Sequence, residues 1–75
     1  MLTDTKTVYV RLLEEGTEVL RPALAVLISG NKYQILQDQS YDPDDEVWEF
    51  PPGTKVFCES TDILGKPGLI ARHRA

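Results

Sequence analysis

The sequence predicts an all-β chain, a small five-stranded SH3-like barrel forming a single domain over residues 1–75, with its ordered core at about 6–72. Short apolar runs alternate with a period of two, which is the pattern of half-buried strands. Clusters of Gly, Pro, Asn and Ser separate those runs at hairpin spacing. Closing the strands into a barrel also removes the exposed edges that so much β content would otherwise leave. A five-stranded OB-like barrel and an open meander are the competing arrangements.

The first strand is residues 6–13, where Val8, Val10 and Leu12 share one face and Thr7, Tyr9 and Arg11 the other. Glu14-Glu15-Gly16-Thr17 follows as a tight hairpin turn, since Gly16 can take positive φ at little cost. The second run, Glu18 to Ile28, puts Val19, Leu24, Val26 and Ile28 mostly in one phase and Ala23, Ala25 and Leu27 in the other. Pro22 lacks a ladder donor, so it marks an edge or a bulge and lets the strand bend to serve both halves of a barrel. A helix over residues 23–28 competes, but the run is short and flanked by Pro22 and Gly30.

Ser29-Gly30-Asn31 reads as a turn and residues 32–37 as the third strand, with Tyr33 and Ile35 in phase. Residues 38–46 form a polar, acidic loop without periodicity. Residues 47–50 read as a short strand or one helical turn, and Pro51-Pro52-Gly53 as a rigid corner. Lys55 to Glu59 is the fourth strand, with Val56 and Cys58 facing inward. Residues 61–68 are a connection, residues 69–72 the fifth strand, and residues 73–75 a tail.

The formal charge of −4 is unevenly spread. From Lys32 to Lys55 no other base occurs, and that stretch carries Asp38, Asp42, Asp44, Asp45, Glu46 and Glu49. Such a surface repels phosphates, so nucleic acid is an unfavourable partner, while a basic protein surface or a metal ion is compatible. No apolar run approaches the roughly 20 residues of a membrane span. No signal peptide is visible at Met1–Lys6, and Cys58 has no disulfide partner in the chain. The cytoplasm is the expected compartment.

The strings Val8–Thr17, Arg21-Pro22, Tyr41-Asp42-Pro43 and Asp45–Gly53, ending at Val56 and Cys58-Glu59, carry a resemblance over residues 8–59. In these the chain resembles a group of small uncharacterised bacterial proteins. Leu20 departs from that pattern, which has an aromatic there. The resemblance implies a bacterial origin and an SH3-like barrel, and no function.

Asp42-Pro43-Asp44-Asp45-Glu46 is the sharpest functional candidate. Clustered carboxylates offer the hard oxygens that divalent cations prefer, but the spacing is not that of an EF-hand. The plainer reading is a solvated turn, with Asp42 capping it and Pro43 opening a helical turn. Tyr33, Tyr41, Trp48 and Phe50 can line an aromatic groove beside those acids, as in proline-rich peptide recognition, or they can fill the core. Trp48 suits either role. Cys58 with His73 as a nucleophile and base is outweighed by a buried, inert Cys58. Arg11, Arg21, Arg72 and Arg74 form a weak candidate for a basic patch. Gly-rich phosphate loops and other catalytic signatures are absent.

The expected class is therefore a non-enzymatic protein-interaction module, with no cofactor and no assigned metal ligand. It would bind a basic or Pro-containing surface through the acidic, aromatic loop 38–50, with Tyr41, Asp42, Asp44, Asp45, Glu46 and Trp48 making the contact. The alternatives are a divalent-metal or small-ligand-binding protein using Asp42 to Glu46, and a small acidic inhibitor or immunity-type protein. Oligomeric state is left open, with strand edges near Pro22 and at the fifth strand as places where two chains can pair.

Overall fold

The computed structural model describes residues 5–37 and 41–75. The expectations for Met1–Asp4 and for residues 38–40, Asp38 included, lie outside the described residues. Six strands are formed: β1 (Thr5–Leu13), β2 (Leu20–Ser29), β3 (Lys32–Ile35), β4 (Val47–Trp48), β5 (Lys55–Ile63) and β6 (Lys66–Arg74). No helix occurs among the described residues. Five of the strands close a hydrogen-bonded ring in the order β2-β3-β5-β6-β1 and back to β2, and β4 adds to the far end of β1. The ring is compatible with a small SH3-like barrel.

The connectivity explains the one parallel pair. Successive strands around the ring run antiparallel, so the first and fifth point the same way. β1 and β6 accordingly close the ring in parallel, through Val8 opposite Leu69 and Tyr9 opposite Ile70. This sequential order is a meander and not the Greek key of an OB-fold. β2 serves both halves, pairing with β1 over Leu20–Val26 and with β3 over Ala25–Ser29. β3 reaches no further back than Ala25, so Pro22 lies where one side of β2 has no strand neighbour.

Alternation fixes what is buried. Val8, Val10 and Leu12 point inward from β1, Tyr33 and Ile35 from β3, and Val56 and Cys58 from β5. On β2 the inward phase belongs to Ala23 and Ala25, while Leu24, Leu27 and Ile28 are exposed. The small residues fit because the interior is already filled by larger ones. Ala25 stands opposite Ile35, itself fully buried. Trp48 and Phe50 complete the cluster at 5% exposure each. At Gly53, φ is +94° and an added Cβ would lie 2.8 Å from Gln37 Nε2, so this corner requires glycine.

Four expectations are corrected. Residues 61–68 are not a connection: Thr61–Ile63 extend β5, Lys66–Gly68 begin β6, and only Leu64-Gly65 turn the chain. Both turn residues have positive φ, 53° and 82°, the twist that a two-residue hairpin needs. Residues 73–75 are not a tail, because His73 and Arg74 pair with Phe57 and Val56, and the Ala75 N–H donates to the Lys55 carbonyl. The first turn is longer than expected, and Glu14, not Gly16, takes the left-handed conformation at φ 65°. The third strand ends at Ile35, two residues early, although the Leu36 N–H still reaches the Leu24 carbonyl.

Candidate functional site

The acidic segment folds into one hydrogen-bonded turn. The Asp42 carboxylate accepts from the Asp44 N–H at 3.0 Å. The Asp42 carbonyl accepts from the N–H groups of both Asp45 and Glu46, each at 2.9 Å. Pro43 occupies the first position inside the turn, where its missing donor costs nothing. Asp42 is thus the cap that the plainer sequence reading described. Asp44 and Asp45 are exposed, and their carboxylates have no hydrogen bond or ion pair with any described residue.

Two anchors hold this turn to the ring. Ahead of it, the half-buried Tyr41 ring lies 4.9 Å from that of Trp48 at 57°, a tilted aromatic contact. The Trp48 backbone N–H donates to the Tyr41 hydroxyl at 3.4 Å. Behind it, Glu46 is gripped by Arg21 of β2 in a two-pronged pair, one prong being Arg21 Nε to Glu46 Oε1 at 3.1 Å. The Trp48 indole N–H donates to the same Oε1 at 3.2 Å. Glu49 is held similarly by Arg11, through a 3.4 Å side-chain bond and a 2.8 Å bond from the Glu49 N–H to the Arg11 carbonyl.

These bonds set the electrostatics. The Arg21 hydrogen bond, then the Trp48 indole, holds the Glu46 carboxyl below its ordinary value of 4.5, and Arg21 is raised in return. A carboxyl depressed in the fold contributes stability above its ordinary pKa and loses it as the pH falls through the folded value. Glu46→Gln is therefore expected to flatten the fall of melting temperature with pH below about 4.5, where Glu46 takes up its proton. Thermal melts of both proteins from neutral pH to pH 2 check this.

The structure brings all six predicted residues into one cluster but divides their roles. Trp48 is core. Tyr41 is half-buried against it, Asp42 is used by the turn and Glu46 by Arg21. Asp44 and Asp45 remain available to a partner. Tyr33 and Phe50 are also buried, so the aromatic groove of the sequence reading is not formed from these side chains. A core this thin uses its large rings for burial.

Among the described residues, no three His, Cys, Asp or Glu side chains stand together in a way that could hold a metal ion. The basic candidates are also engaged, Arg11 with Glu49 and Glu18, Arg21 with Glu46, and Arg72 with Glu59 at 3.1 Å. Arg74 sits 5.9 Å above the Phe50 ring.

Burial pushes the Cys58 thiol up to about 11. At pH 8 roughly one thiol in a thousand is then ionised. Native protein is expected to react with iodoacetamide far more slowly than urea-unfolded protein, as mass spectrometry over time will measure. An open cleft of about 380 Å³, lined by Tyr9, Val19, Leu20 and Ile63 with Glu18 and Asp62, does not include the acidic turn.

Arg11 and Arg21, read from the sequence only as part of a basic patch, belong to the site, and their pairing with Glu49 and Glu46 is what sequence reasoning missed. They lie 38 and 25 residues from their acidic partners, so only the pairing of β1, β2 and β4 brings them together. No family model, curated protein or solved structure matches this chain. No helix among the described residues is long and apolar enough to cross a membrane.

Proposed function

We propose that the chain is a non-enzymatic protein-interaction module that meets a basic protein surface through the turn Asp42–Glu46. The observation carrying this reading is the division of charge along the loop. Glu46 and Glu49 are paired with Arg21 and Arg11, while the exposed Asp44 and Asp45 carboxylates make no hydrogen bond or ion pair with a described residue, Asp45 acting on Arg21 only through its charge. Two exposed carboxylates on an ordered turn present a fixed pattern of charge, and little conformational entropy is lost when a cation meets it. Exposed charge of this kind governs encounter rate and salt dependence more than ultimate affinity.

The test is capture from lysate by the immobilised chain, at low and high salt, beside the double variant Asp44→Lys/Asp45→Lys. A captured protein released by salt and absent from the double variant is the expected result. Identical capture by both proteins contradicts the reading. Trp48→Ala is not a useful probe of binding, because it removes a core ring.

A further inference from the structure

The β5–β6 hairpin reaches beyond the ring, and its two edges differ. β5 runs to Ile63, but β3 covers it only from Lys55 to Phe57. The last bond on that side goes from the Cys58 N–H to the Asn31 carbonyl at 2.9 Å. Backbone groups alternate sides along a strand, so those of Ser60 and Asp62 point the same way as those of Cys58, away from β6. Asp62 stands opposite Pro67, which has no N–H to give, as fits a position whose backbone groups face outward. No hydrogen bond from a described residue reaches the outward groups of Ser60 and Asp62.

The matching edge of β6 is guarded. Pro67 removes its outward donor, Lys66 adds charge, and Leu69 and Ile70 are taken by β1. Proline and lysine are the usual means of blocking unwanted strand addition. The β5 edge carries neither. Glu59 on it is drawn to Arg72, which leaves Asp62 as its unpaired charge.

We propose that this edge pairs with the same edge of a second copy of the chain, antiparallel about a two-fold axis at Thr61. Ser60 then stands opposite Asp62 of the partner subunit, and Asp62 opposite Ser60 of the partner subunit. Each outward N–H meets an outward carbonyl, as in any hydrogen-bonded antiparallel pair. The serine hydroxyl lies beside the one unpaired carboxylate and can donate to it, which offsets the like charge of two acidic chains. Thr61 faces its own counterpart, a favourable cross-strand pair. The contact uses the same surface on both chains, so it closes as a dimer and does not propagate into a fibre. It uses neither Asp44 nor Asp45 and stands apart from the proposed role of the acidic turn.

Sedimentation equilibrium of the full chain tests this from about 10 μM to 1 mM, the range of small, weak interfaces. The mass is expected to rise with concentration to that of two chains. Asp62→Pro removes an outward donor and the carboxylate beside the serine but no bond within the hairpin, so the hairpin keeps its internal bonds and the dissociation constant should rise roughly tenfold or more. Amide exchange supplies a readout without a variant: Ser60 and Asp62 should be protected in concentrated samples and exchange freely in dilute ones. A monomer throughout this range overturns the proposal. So does a dimer in which these two amides exchange freely, or a folded Asp62→Pro protein that dimerises as before.

Discussion

Trp48→Ala is expected to lose about 4 kcal/mol of stability, within the range for removing a buried aromatic ring. Trp48 is 5% exposed and belongs to the main core cluster. Its loss opens a cavity, ends the Tyr41 contact and leaves Glu46 without the indole donor. A chain of 75 residues has about 4–11 kcal/mol to lose, so this one change removes roughly a third or more of the total. Urea denaturation followed by far-UV circular dichroism will measure the loss. Trp48→Phe keeps a ring in the core and should lose less than half as much. A folded Trp48→Ala protein within 1 kcal/mol of wild type, a change usual for surface sites, would contradict the placement of Trp48.

Ile35→Ala is expected to have a comparable effect, about 3–4 kcal/mol, for a different reason. Ile35 is fully buried on β3 and stands opposite Ala25. Ala25 carries only a methyl, too short and without a rotamer to move into the vacated space, so the cavity stays open and the cost lies in the upper part of the usual range. Leu24, next to Ala25 in sequence, is exposed because strand alternation turns it outward. The double variant Ile35→Ala/Ala25→Ile should recover part of the loss by refilling the pair from its other side. Urea midpoints of the three proteins test this, and equal midpoints for the single and double variants would contradict it.

Much of the fold was legible because period-two alternation is local. Val8, Val10, Leu12, Tyr33, Ile35, Val56 and Cys58 could each be assigned inward from their neighbours alone, and each is buried. The turns at Gly30 and Gly53 were legible for the same reason, each with the positive φ that glycine accommodates. The hairpin at Leu64-Gly65 was not. Composition marked Gly65, Pro67 and Gly68 as a connection, but outward placement lets Pro67 sit within a strand, and Gly68 leaves room for Ile63. The inward phase of β2 was also hidden, because its largest apolar residues face solvent and its alanines face the core.

For the candidate site, the Asp42 cap was readable from Asp42-Pro43, since its bonds span only two to four residues. The arginines that neutralise Glu46 and Glu49 were not, because they arrive by strand pairing across the ring. That pairing also separates Asp44 and Asp45 from the other acids of the loop. A charge count alone treats all of them alike.

The central claim is that the acidic turn is a fixed part of the fold, held by Tyr41 on Trp48 and by Arg21 on Glu46. Backbone ¹⁵N relaxation at Asp44 and Asp45 tests it most directly. Order parameters near 0.85, those of rigid backbone, are predicted for the wild-type protein, with a clear fall in Arg21→Ala. Values below about 0.6 in the wild type, or no change on removing Arg21, would contradict it.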